Sequence, residues 1–261
     1  MTVRLSIELA ILFRAFALIY RIRLGVIHKM ENDLFFPRLV HFFGPDGAGK
    51  SLQADILIGF LARRGFKVRK CWLRAHHTLA FILWKLFVRI GFYRVVINNF
   101  GFATKLPAVD RDKLWRSFWS SVEFISILPI VLRVHLSLSR GYRVVAERYL
   151  LDSITAIAYV INDPDFLRGR ISKMLLRLIP ENTVFIFLDS DYETIRRRRA
   201  RKRKTAYDYS RGNYVEPRVY IEFQRTAYKI LANSFHALIV DTSKTSIGET
   251  SKNILQYLGL V

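Results

Sequence analysis

The segment Gly44-Pro45-Asp46-Gly47-Ala48-Gly49-Lys50-Ser51 satisfies G-x-x-x-x-G-K-[ST] at every fixed position. Such a loop works in only one local setting. Backbone N–H groups must turn inward around a phosphate, so glycines stand where a side chain would block the approach. The lysine must reach the outer phosphates, and the serine hydroxyl must reach a Mg²⁺ ion. A strand has to deliver this loop and a helix has to leave it, the helix adding its positive N-terminal end to the anion site. The flanks comply: Leu39–Phe43 is a short apolar run that reads as a buried strand, and Lys50–Arg64 carries helical periodicity as far as Gly65.

The same rhythm continues along the chain. Lys67–Leu73, Tyr142–Ala146, Thr183–Leu188 and Ala237–Val240 read as four further strands. Helices are expected over Leu79 to about Val96, Asp110–Arg140 with a kink at Pro129, Leu151–Ile161 and Asp165–Leu178. Three more follow, over Tyr192–Arg203, Pro217–Ser234 and Ile247–Leu258. Strands alternating with helices imply an α/β fold of three layers, with a five-stranded parallel sheet flanked by helices. Ligands of such sheets bind at the carboxyl ends of the strands. Residues 1–36 stand apart as an N-terminal helical extension, and 37–261 form the main domain.

Charge and hydropathy narrow the setting. Lysine and arginine number 42 against 21 aspartates and glutamates, a formal net charge of +21 that gathers polyanions of any kind. A single cysteine, Cys71, rules out an intramolecular disulfide framework and fits a reducing, cytoplasmic compartment. The apolar stretch Leu5–Ile27 is interrupted by Glu8, Arg14, Arg21 and Arg23, and Phe124–Leu132 is bounded by Glu123 and Arg133. Neither reaches the roughly 20 apolar residues of a spanning helix, so no transmembrane segment and no secretory signal are expected. Peripheral contact of residues 1–36 with an anionic membrane stays open, as does a homodimer; nucleic acid is not favoured as a partner.

A second constellation follows the third of these strands. Val144-Val145-Ala146-Glu147-Arg148-Tyr149 places an acid, a guanidinium and a phenol at the carboxyl edge of the sheet. An arginine there can clamp a second phosphate bidentately, and the acid can hold Mg²⁺ through water. With these residues in view the chain resembles the thymidylate kinases among the P-loop nucleoside monophosphate kinases. Asp46 matches their acidic third position in the loop, and Glu147-Arg148-Tyr149 matches their Asp-Arg-Tyr-like motif. Leu188-Asp189, Glu193 and the arginine run Arg196–Arg203 resemble the family's strand end and lid-bearing helix. Ala227-Tyr228 and Val240-Asp241-Thr242-Ser243 resemble its closing segment. The likeness covers Arg38 to Val261. It departs at Glu147, where the family has aspartate, and at Asp152, which holds the place of a family serine.

The resemblance implies roles residue by residue. Gly44, Asp46, Gly47, Ala48, Gly49, Lys50 and Ser51 would bind ATP, with Ser51 and Glu147 on Mg²⁺. Asp46, Arg74, Arg148 and Tyr149 would contact the acceptor nucleotide. The loop has Gly47 where some relatives carry a catalytic arginine, so the lid, about 196–216, would supply it from Arg198 or Arg199. Lys50, Arg148, Arg198 and Arg199 are thus the expected catalytic residues. The implied activity is transfer of the γ-phosphoryl group of MgATP to a nucleoside monophosphate, dTMP foremost. Two alternatives keep the loop: a kinase acting on another phosphorylated or membrane-associated acceptor, and an ATP-dependent switch that binds nucleic acid or membrane.

Overall fold

The computed structural model describes residues 37–73, 78–97, 103–201 and 218–261. The expected N-terminal extension, Arg74 and positions 202–216 of the lid lie outside the described residues. Strand β1 (Leu39–Phe43) leads through the phosphate loop into helix α1 (Lys50–Arg63) and strand β2 (Val68–Trp72). Helix α2 (Thr78–Arg89), strands β3 (Tyr93–Ile97) and β4 (Ala103–Pro107) and the long helix α3 (Lys113–Ser139) follow. Strand β5 (Arg143–Glu147), helix α4 (Leu150–Val160), a 3₁₀ turn (Pro164–Arg168) and helix α5 (Arg170–Arg177) come next. Strand β6 (Thr183–Asp189), helices α6 (Tyr192–Arg201) and α7 (Arg218–Ser234), strand β7 (Leu238–Asp241) and helix α8 (Ile247–Tyr257) complete the chain.

Five strands form one parallel sheet in the order β2-β5-β1-β6-β7. β1 lies at its centre, every residue buried: Leu39, Val40, Phe42 and Phe43 are apolar, and His41 finds a buried partner in Asp152. Successive side chains of a strand point to opposite faces, and the two cores divide accordingly. Val40 and Phe42 join Leu57 and Leu61 of α1, Val145, Ile186 and Ile254 of α8 on one side. Leu39 and Phe43 join Val144, Phe187, Ile127 and Val131 of α3, Ile154 of α4 and Tyr228 of α7 on the other. The expected three-layer α/β architecture with a five-stranded parallel sheet is what the chain forms.

Three elements depart from the sequence reading. The helix expected from Leu79 to Val96 ends at Arg89, where Gly91 takes a left-handed φ of 79°. The remaining Tyr-Arg-Val-Val-Ile is rich in β-branched residues and forms an antiparallel hairpin, Tyr93 opposite Pro107 and Val95 opposite Lys105. Helix α3 begins later than Asp110, because the carboxylate of Asp112 accepts the Trp115 N–H at 2.9 Å and caps the first turn. The expected helix Asp165–Leu178 is broken by the extended backbone of Gly169 into the 3₁₀ turn and α5.

Among the described residues α3 alone has the length and apolarity of a membrane span, and 61% of its most apolar window is buried inside the fold. Trp119, Phe124, Ile127 and Val131 place it against the sheet as a core helix. Its serines close their hydroxyls onto carbonyls one turn back: Ser120 on Arg116, Ser126 on Val122 and Ser137 on Arg133, at 2.7, 2.7 and 2.8 Å. That satisfaction lets the three buried serines of this helix lie in an apolar layer.

Candidate active site

The carboxyl ends of β1, β5, β6 and β7 converge on the phosphate loop. Gly44 leaves β1 with φ 140°, and a Cβ there would lie 2.1 Å from the backbone oxygen of Leu188 on β6. A Cβ on Gly47, at φ 100°, would meet Ile195 of α6 at 2.9 Å. Glycine is therefore demanded at both positions by backbone angle and by neighbours. Gly49 caps α1 in the left-handed region, and Ala48 is fully buried.

Lys50 lies almost wholly inside this turn. Its Nζ donates to the carbonyl oxygens of Gly44 at 2.6 Å and Pro45 at 2.8 Å, and stands 3.6 Å from Oδ1 of Asp46. Burial pulls its pKa from 10.5 down to about 8; Asp152 and Glu147 oppose the drop and Arg199 adds to it. Ser51 donates its hydroxyl to Oε1 of Glu147, the last residue of β5. Oε2 of Glu147 also pairs with Lys70 of β2 at 2.9 Å, so this acid is shared between the loop and the sheet edge.

Arg148, directly after Glu147, has a φ of 63°, a strained value for a residue with a side chain. Its backbone is held at both ends, its N–H donating to Phe42 O at 3.0 Å and its carbonyl accepting from the Leu73 N–H at 3.2 Å. That conformation turns the guanidinium back over the loop, where it donates to Oδ1 of Asp46. From α6, Arg199 brings a nitrogen to 3.9 Å from Oδ2 of the same carboxylate. Asp46, nearly buried, thus gathers Lys50, Arg148 and Arg199 around one negative charge.

Arg198 does something different. One terminal nitrogen donates to Gly47 O at 3.3 Å and Thr242 Oγ1 at 3.1 Å, and the other donates to the Thr242 carbonyl. It ties α6 to the loop and to the turn after β7. The helix itself starts on Asp191, whose carboxylate accepts from Thr194 N–H and Oγ1 at 2.7 and 2.9 Å. Slight burial opposes that charge, but the Thr194 and Ser243 bonds and nearby Arg197 outweigh it and lower its pKa to about 2.

Tyr149 corrects an expectation. Expected beside the acceptor, its ring is fully buried in the core, edge-on to His41 at 5.7 Å, and burial, with Cys71 nearby, raises its pKa well above the ordinary value. Neighbouring residues turn opposite ways at the strand end, so Arg148 faces the loop and Tyr149 faces inward. Three features escaped the sequence reading. His41, Asp152 and Tyr228 form a buried network in which Asp152 lies 3.3 Å from the imidazole and accepts the Tyr228 hydroxyl at 3.2 Å. Thr242 donates to Ala48 O at 3.1 Å, bracing the loop from β7. Arg225 grips Asp189 with two nitrogens at 2.8 and 3.1 Å. A histidine in an otherwise apolar central strand was the available signal for the first of these.

The sheet order, the glycine loop after its central strand and the acid–arginine pair on the adjacent strand define a P-loop α/β fold. More narrowly, the fold is thymidylate kinase-like. The solved structure of thymidylate kinase from Candida albicans matches with a TM-score of 0.50 at 18% identity, over 86% of this chain and 92% of that one. No family model matches the sequence, and neither does any curated protein.

Proposed function

We propose that the chain transfers the γ-phosphoryl group of MgATP to a nucleoside monophosphate, with dTMP the foremost acceptor. The observation that carries this reading is the convergence of Lys50, Arg148 and Arg199 on Asp46, beside the Ser51–Glu147 pair. Cations with no covalent chemistry of their own suit phosphoryl transfer, where catalysis is positioning and charge stabilisation. A likeness in fold to a thymidylate kinase supports the same class, while the substrate rests on the residues.

In this reading the loop's backbone and Lys50 hold the donor's phosphates. Arg148, held on the same Asp46 oxygen that Lys50 faces, reaches for the acceptor phosphate, and Asp46 orients it. Arg74 is a further acceptor contact by resemblance; Tyr149 is not, since its phenol belongs to the core. Arg198 fixes α6 against the loop, so that Arg199 can meet charge developing on the migrating group. Ser51 and Glu147 offer oxygen donors in contact with each other, a set that suits Mg²⁺, which takes few protein ligands and keeps phosphates and waters. Bound there, the ion would neutralise phosphate oxygens.

The test is ADP release from MgATP across a panel of nucleoside monophosphates, with Lys50→Ala as control. Turnover with dTMP that vanishes in the control is the expected result. Nucleotide binding with no turnover on any monophosphate overturns the proposal.

A further inference from the structure

Helix α2 is apolar on two sides. Its inner side, with Ala80, Leu83, Trp84 and Phe87, packs into the main core. Its outer side carries Leu79, Ile82 and Leu86, and Ile90 just beyond the helix end, at a three-four-four spacing that draws one stripe along the surface. All four are exposed, Ile82 by 63% and Ile90 by 65%. At the start of α3, Trp115 joins the Phe87, Phe92 and Phe118 rings, and its neighbour Leu114 is 79% exposed. A row of exposed apolar side chains along one helix face suits an interaction surface.

The charges on α2 and the hairpin after it are all basic, while Asp112 stands at the start of α3 as its cap. Between Asp55 and Asp110 the chain has ten lysines and arginines and no acidic residue. Among them Lys85 stands over the Phe81 ring at 4.5 Å and Lys105 over Tyr93 at 4.4 Å, and Arg111, just beyond, stands over Phe92 at 4.6 Å. Each rests its charge on the face of an aromatic ring, a cation–π contact.

We propose that α2 and the first turn of α3 seat this protein on an anionic lipid bilayer. Ile82, Leu86 and Ile90 enter the acyl boundary, and Lys85, Arg89 and Arg111 meet the headgroup phosphates. An apolar stripe rimmed by basic residues fits that surface, which supplies both an apolar layer and fixed negative charge. A second copy docking here would oppose Lys85 and Arg89 to their own counterparts. Residues 1–36 carry five basic and three acidic residues, a net charge of the same sign as the rim. The inference does not depend on the reaction proposed above.

The experiment is sedimentation of the full chain with vesicles of phosphatidylcholine, with and without about 30% phosphatidylserine. The protein is expected to bind the anionic vesicles and to release at about 0.5 M salt. The triple variant Ile82→Ser, Leu86→Ser, Ile90→Ser, changed only at exposed positions, is expected to bind them at least about tenfold more weakly. Val219→Ser, equally exposed on α7, leaves binding unchanged. Lys85→Glu with Arg89→Glu keeps the stripe and loses the preference for anionic vesicles. Unchanged MgATP binding in each variant reports an intact fold. The proposal is overturned if wild type ignores anionic vesicles, or if the triple variant binds them as well as wild type. It is equally overturned if the triple variant instead dissociates a lipid-independent dimer in ultracentrifugation.

Discussion

Replacing Lys50 by methionine should change how stability depends on pH, and by an amount the structure sets. The ammonium is 4% exposed and bonded to two loop carbonyls, and burial lowers its pKa from 10.5 to about 8. The unfolded chain therefore keeps this proton up to about pH 10.5, while the folded chain begins to release it near pH 8. Between those values the folded state binds fewer protons, so its stability rises with pH. The cost of holding the charge is fully present below pH 8, and at 1.36 kcal/mol per pH unit its relief by pH 10.5 is worth roughly 3 kcal/mol. Methionine has no proton to lose. Urea unfolding followed by tryptophan fluorescence at pH 7, 8, 9 and 10, on wild type and Lys50→Met, isolates the effect, since every other titrating group is common to both. The stability difference should move toward wild type by most of those 3 kcal/mol across the series. A second reading comes from ligand: triphosphate beside Nζ restores the charged form, so MgATP binding at pH 9 should take up a proton that it does not take up at pH 7. Calorimetry in two buffers of different ionisation enthalpy measures this. A stability difference independent of pH, with no proton uptake, would refute the account of Lys50 as a charge held at a cost.

Other expectations follow from the same geometry. Gly44→Ala drives a Cβ into the Leu188 carbonyl and should cost about 3 kcal/mol or more in urea unfolding, whereas Gly59→Ala, in open space on α1, should add about 0.5–1 kcal/mol. Asp152→Asn removes the largest charge supporting the Lys50 ammonium, so the lower edge of the pH window described above should fall while its upper edge stays. Arg198→Ala should lower both melting temperature and turnover, because it frees α6 from Gly47 and Thr242. Arg199→Ala should leave the melting temperature in place and cut kcat by about 10²–10³-fold, measured as ADP release.

The parallel sheet was readable because its strands are uninterrupted apolar runs between helical patterns, Leu39–Phe43 and Thr183–Leu188 above all. The β3–β4 hairpin was not. Leu79–Val96 is mostly apolar, so periodicity could not tell its helical part from its extended part; Gly91 and the β-branched run after it were the local signs. In the site, the phosphate loop and Glu147-Arg148 were visible because their chemistry is carried by residues close together in sequence. The Asp152 network was hidden because its partners His41 and Tyr228 lie 111 and 76 positions away. Tyr149 was misplaced because sequence adjacency to Arg148 does not say which way a side chain turns at a strand end.

Asp46 has a consequence for selectivity. Its carboxylate is the resident counter-ion of three cations, so an arriving phosphate does not fill a bare positive hole but trades places with a charge already there. A monoanion offers such a site no electrostatic gain over the carboxylate it displaces. A ligand carrying two or more negative charges on one group does, and the exchange frees Asp46 to accept hydrogen bonds from whatever that group is attached to. In the proposed reading, the site would discriminate by ionic valence before it discriminates by shape.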